Sequence, residues 1–136
     1  MDENMIPPEA LEEVQKLLDE LRELSAQGVP IIVEGKKDSK ALRDLDMGGP
    51  IVQISSSKKT ALNFLEGLSG HKQVVILTDF DRAGADLARF CEKHLQKLSV
   101  KPILDPRKKL KFFLQKGVKD IESLEKFLRS QTAKKN

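Results

Sequence analysis

Two kinds of apolar pattern alternate along the chain. In one, apolar positions recur at helical spacing. Examples are Leu11, Val14, Leu17, Leu18, Leu21 and Leu24, then Ala61, Leu62, Phe64, Leu65 and Leu68, and later Leu124, Phe127 and Leu128. In the other, apolar residues form short runs: Ile31-Ile32-Val33, Ile51-Val52-Gln53-Ile54, Val74-Val75-Ile76-Leu77 and Val100-Lys101-Pro102-Ile103-Leu104. All four read as short strands, and the unbroken Val74–Leu77 run reads as one buried on both faces, as in parallel sheets. The predicted order is one helix, then β-α four times, then one more helix. This alternation predicts an α/β fold: a single Rossmann-like domain of about four mainly parallel strands with helices on both faces. Right-handed crossovers bring all the strand C-termini to one edge.

Punctuation supports these boundaries. Pro7-Pro8 suits a helix start and Gln27-Gly28 a helix stop. Gly35 lets the chain turn sharply after the first strand, and a helix capped by Asp38 or Ser39 then runs to about Leu45. Asp46-Met47-Gly48-Gly49-Pro50 reads as a turn, and Pro102 marks an edge strand. A helix from about Gly84 to Leu98 carries Leu87, Phe90, Cys91, His94, Leu95 and Leu98 on one face, so Cys91 and His94 read as core or boundary residues. Asp120 is expected to cap a last helix from Ile121 to about Arg129. The organisation expected is an amphipathic helix over 1–29 packed on a core of 30–104, with a basic helical extension over 105–136.

Composition narrows the class. The chain has 136 residues, 39% hydrophobic and 33% charged, within the range of one ordinary globular domain. No apolar run reaches the roughly 20 residues that span a bilayer, and no signal peptide is recognisable. A lone cysteine excludes an internal disulfide and a cysteine-cluster zinc site, in keeping with a cytoplasmic location. Charge is uneven. Residues 1–29 hold two basic and eight acidic side chains, whereas residues 101–136 hold eleven basic and four acidic. The basic end suits either a polyanionic partner or a solvated face. Within it, Arg107-Lys108-Lys109-Leu110-Lys111 is a candidate nucleic-acid contact, and Phe112-Phe113 read as core anchors.

The candidate chemistry follows the strands. Glu34 directly follows the first, and Asp79 and Asp81 follow the third. Neighbouring parallel strands lie about 4.8 Å apart, so adjacency of these two would let the three acids share one cation. A hard divalent ion with oxygen ligands suits them, and Mg²⁺ takes one or two carboxylates, keeps several waters and leaves an acid for proton transfer. Asp38 either supports the metal from behind or caps its helix. Ser55-Ser56-Ser57-Lys58-Lys59-Thr60 either holds a phosphate at a helix start or is an ordinary cap; it is not a P-loop.

The pair Glu34-Gly35-Lys36-Lys37-Asp38 and Thr78-Asp79-Phe80-Asp81-Arg82-Ala83-Gly84 resembles the Toprim (topoisomerase–primase) domain over about residues 30–104. It is similar to the small stand-alone members and, among longer relatives, to the ribonuclease that matures five-S ribosomal RNA. Gly117-Val118-Lys119-Asp120-Ile121-Glu122 adds a weaker likeness to the latter. The resemblance implies phosphodiester chemistry with Mg²⁺, for which Mn²⁺ can substitute. Glu34 is then general acid or base and shares the metal site, and Asp79 and Asp81 are ligands. Lys36, Lys37, Arg82, Lys58 and Lys59 would bind nucleic acid, with Gly35, Asp38 and Gly84 supporting the site. Gly84 is expected to let a phosphate approach the helix start closely. The chain has no tyrosine, which excludes a topoisomerase-like nucleophile. Three functions are carried forward: a nuclease, with RNA favoured over DNA; a non-catalytic binding or accessory module with a protein partner for recognition; and primase-like nucleotidyl transfer.

Overall fold

The computed structural model describes residues 6–54, 58–114 and 117–135. Its helices are α1 (Pro8–Ala26), α2 (Lys36–Asp44), α3 (Lys58–Glu66), α4 (Arg82–Lys97), α5 (Asp105–Leu114) and α6 (Leu124–Lys135). Its strands are β1 (Ile31–Val33), β2 (Ile51–Gln53), β3 (Gln73–Ile76) and β4 (Lys101–Ile103). All pairings are parallel, in the order β2-β1-β3-β4. The α/β class, the four parallel strands and the edge position of Pro102 match the pattern read from the sequence.

Side-chain alternation divides the core into two layers. Ile31, Val33, Val75 and Leu77 point to one face, where they join Val14, Leu18 and Leu21 of α1, Leu42 of α2, Leu110 and Leu114 of α5, and Leu124 and Leu128 of α6. Ile32, Val74 and Ile76 point to the other, against Ala61 and Leu65 of α3 and Ala88, Cys91 and Leu95 of α4. The acidic helix α1 thus covers its own domain, and α5 and α6 share the same core layer.

Three helices end alike. A residue just beyond each takes a left-handed φ: Gly28 at 88°, Asp46 at 69° and Ser99 at 61°. In each case a following N–H bonds back to the last helical turn: Val29 to Leu24 O, Met47 to Leu42 O and Val100 to Leu95 O, at 3.0–3.1 Å. Met47 is consequently buried, although it lies in a segment that reads as a turn.

Three local expectations change. Gly35 is extended (φ −153°), a conformation open to any residue, so no sharp turn explains the glycine. α6 begins at Leu124, three residues later than expected. Asp120 instead caps a tight turn, its Oδ1 accepting the Ser123 N–H (2.8 Å) and hydroxyl (2.7 Å). Phe113 packs against the core, but Phe112 is 69% exposed and is no core anchor.

Candidate metal centre at the switch point

Strand β1 has β2 on one side and β3 on the other. The chain therefore leaves β1 in one direction and resumes beyond it in the opposite direction. Open α/β sheets bind ligands at the C-terminal end of such a reversal. Here that crevice lies between β1, which leads into Glu34, and β3, which leads into Asp79.

The two strand exits are joined directly. Glu34 Oε2 accepts the Asp79 N–H at 2.7 Å. Burial pushes the Glu34 carboxyl above its ordinary range, and the nearby Asp79 charge pushes it further. Burial likewise raises Asp79, with Asp120 and Asp81 adding repulsion. The two carboxyls oppose each other's ionisation, which favours a proton or a cation between them.

Asp79 is held from several sides. Its Oδ1 accepts the Ile121 N–H at 3.2 Å. The Phe80 N–H bonds Lys119 O at 2.9 Å, so the 117–123 segment lies against the Asp79–Asp81 turn. Arg107, from α5, donates through Nε to Thr78 O (3.1 Å) and through Nη2 to Asp79 O (2.5 Å). Its guanidinium is buried, which lowers its pKa, while Glu34, Asp81 and Asp79 oppose that shift. Arginine retains its charge in such a setting.

Asp81 is exposed and starts α4: its Oδ1 accepts the Gly84 N–H at 2.7 Å. The Thr78 hydroxyl donates to Gly84 O at 2.7 Å and closes the turn. A Cβ at Gly84 would stand 1.9 Å from Asp79 O and 2.6 Å from its carbonyl carbon. Glycine is required there because helix and strand exit touch. With its N–H engaged by Asp81, Gly84 is not the open phosphate cradle expected from the motif.

Asp38 is buried and accepts the Gly35 N–H at 3.0 Å, which is half of a capping box. It also accepts the Glu122 N–H, and burial and the Asp79 charge raise its pKa. Asp38 therefore caps its helix and, through the 120–122 turn, borders the acidic site. Lys36, Lys37 and Arg82 lie in the first turns of α2 and α4, on the same edge. Lys37 lies 3.7 Å from Glu122, an exposed pair of little energetic consequence. Lys59 is exposed in the first turn of α3; the Ser55–Ser57 part of the suggested phosphate site lies outside the described residues.

The donors at this edge are all hard oxygens, which suits Mg²⁺ or Mn²⁺ rather than a soft metal. Among the described residues no three acidic, histidine or cysteine side chains converge as a ready-made cage. Such an arrangement fits an ion that keeps most of its waters and takes one or two carboxylates. Glu34 and Asp79 would hold it, with Asp81 at the rim.

The sequence pattern places Arg107 in a basic run that reads as surface, and the structure corrects this: Arg107 turns inward beneath the site. Thr78 and residues 119–122 stand in segments that carry the resemblance, but the roles of the Thr78 hydroxyl and of the 119–122 backbone groups are not read from the pattern. A signal exists for Arg107. It shares the spacing of Leu110 and Leu114, at i+3 and i+7, and so falls on the buried face of α5.

A parallel sheet with an acid after β1 and an Asp-x-Asp after β3 defines a Toprim-type centre, and the chain belongs to the Toprim domain family, whose model matches residues 29–114. Over most of its length it is similar to UPF0292 proteins. It is 41% identical to one from Methanosarcina barkeri, over 84% of this chain and 79% of that protein. It is 39% identical to one from Pyrococcus furiosus, over 86% and 85% respectively. The fold is also that of a solved putative protein from Aquifex aeolicus, with a TM-score of 0.68 and 23% identity over 81% of this chain and 96% of that one. Family membership brings with it a metal-dependent, nucleic-acid-related activity. Among the described residues no helix is long and apolar enough to cross a membrane.

Proposed function

We propose that this protein is a Mg²⁺-dependent nuclease acting on structured RNA. One observation carries the reading: at the switch point of a Toprim domain, Glu34 meets Asp79 with both carboxyls pushed upward in pKa. Carboxylates so placed favour a proton or a cation between them. The bound cation would polarise a phosphoryl oxygen and lower the pKa of a coordinated water. Glu34, poised by burial to hold a proton, serves as general acid or base. Asp79, with Asp81 at the rim, would orient the ion. Lys36, Lys37 and Arg82, with Lys59 at the start of α3, neutralise backbone phosphates. The preference for RNA over DNA rests on the likeness of both motifs to the five-S ribosomal RNA maturation ribonuclease.

A second reading has its own support. Asp81 is already engaged as the cap of α4 and Glu34 already accepts a backbone N–H, so the acids also serve structure. On this reading the protein is a binding or accessory module that depends on a protein partner for recognition.

Incubation of mixed structured RNA and DNA with Mg²⁺ or Mn²⁺, comparing wild type with Glu34→Gln, separates the two. Metal-dependent products from wild type alone support the nuclease and identify its substrate. Retained RNA binding with no products from either protein supports the accessory role.

A further inference from the structure

The two peptide groups flanking the Asp79 Cα are each held at both ends. In the Thr78–Asp79 peptide, the carbonyl accepts Arg107 Nε and the N–H donates to Glu34. In the Asp79–Phe80 peptide, the carbonyl accepts Arg107 Nη2 and the N–H donates to Lys119 O. Two fixed peptide planes fix the Cα–Cβ direction of the residue between them. Of the four bonds, Arg107 supplies two from one rigid fork, and the residue is only 6% exposed.

We propose that Arg107 is a positioning residue of the metal site: its grip on the Thr78 and Asp79 carbonyls sets the direction in which the Asp79 carboxylate meets a divalent cation. This inference rests on the reading of the site as a cation centre. The role is one of geometry and not of charge, because a positive charge beside the site by itself opposes cation binding. Lysine is the discriminating substitution. It keeps the charge but presents a single flexible point in place of the fork.

Groups that orient metal ligands from behind typically contribute about 10–100-fold to metal affinity. Full-length Arg107→Lys, kept at a temperature where circular dichroism shows it folded, is expected to bind Mn²⁺ on that order more weakly than wild type, as read by electron paramagnetic resonance of free Mn²⁺. A purely structural role predicts a lower Tm with Mn²⁺ affinity unchanged in the folded protein, and that result overturns the proposal. A second measurement needs no variant. Wild type titrated with Mg²⁺ should show the Arg107 Nε–H resonance moving with the same midpoint as the Asp79 and Asp81 amides. A stationary Nε–H beside moving amides overturns the positioning role and leaves the cation centre standing. No Mn²⁺ uptake and no moving amide would remove the cation centre, and the role of Arg107 with it.

Discussion

The Glu34 carboxylate accepts the backbone N–H of Asp79 at 2.7 Å, tying together two strand exits 45 residues apart in sequence. The bond gives Glu34 two tasks with opposed requirements. An ionised carboxylate makes the stronger acceptor, yet burial and the Asp79 charge work against ionisation.

Replacing Glu34 by Gln should therefore stabilise the cation-free protein. The amide oxygen can still accept the Asp79 N–H, and the repulsion between the two acids disappears. At neutral pH we expect Tm to rise by roughly 2–4 °C, the response to about 1 kcal/mol in a domain of this size. Differential scanning calorimetry without divalent ions measures it. A clear fall in Tm would show that the charge on Glu34 supports the fold.

Stability should also depend on pH in a defined direction. Glu34, Asp79 and Asp38 all have pKa values raised on folding. Between the ordinary carboxyl range and those raised values, the folded chain binds more protons than the unfolded chain. These groups therefore cost stability above their folded pKa, and that cost is relieved as pH falls through it. Without divalent ions, melts should shift upward as pH falls from neutral toward the ordinary carboxyl range. Mg²⁺ competes with those protons, so its stabilisation should be larger at pH 7.5 than at pH 5. A Mg²⁺ effect that is equal at both pH values would separate ion binding from these carboxyls.

Gly84→Ala should be severely destabilising. The added methyl would meet the Asp79 carbonyl, a backbone group held by Arg107 and unable to swing aside. A loss of about 2–4 kcal/mol is expected from overpacking at such a contact. Gly70→Ala is the control: nothing lies within 4 Å of its added Cβ and its φ is not left-handed, so the change should be within about 1 kcal/mol of neutral. Urea denaturation of the two variants tests the contrast.

Lys108, Lys109 and Lys111 are exposed on α5, the helix whose Arg107 turns inward. If these three lysines contact phosphates, changing them together to alanine should weaken nucleic-acid binding and reduce the slope of log affinity against log salt by about 2–3. A filter-binding series at several salt concentrations gives the slope. An unchanged slope would exclude this face of α5 from the interface.

Most of the fold is legible in the sequence because each strand is a short apolar run and each long helix has a strong apolar face. The Ile31–Val33 and Val74–Leu77 runs mark the two strands beneath the site, and the acids following them mark its location. What escapes such a reading is long-range and made by backbone. Nothing in the residue types of 119–122 announces that the Ile121 and Glu122 N–H groups point at Asp79 and Asp38, since every residue but proline carries the same donor. Arg107 is hidden by its neighbours, because a cation within a basic run reads as surface. Gly84 stands out in the motif, but the reason for it lies in contact with the Asp79 carbonyl, which only the three-dimensional packing discloses.

Helices α1, α5 and α6 share one core layer, and this separates what is recognisable in the molecule from what is cooperative. A chain trimmed to the span matched by the family model, 29–114, would keep Glu34, Asp79, Asp81 and even Arg107. It would lose α1 and α6 from beneath the sheet, the Ile121 N–H from Asp79 and the Lys119 carbonyl from Phe80. The amides of Ile121 and Phe80 should accordingly exchange with solvent only when α1 also opens, as one unit with the helices at both ends of the chain. For the experimenter, the smallest fragment that carries the motif is not the smallest fragment that carries the site.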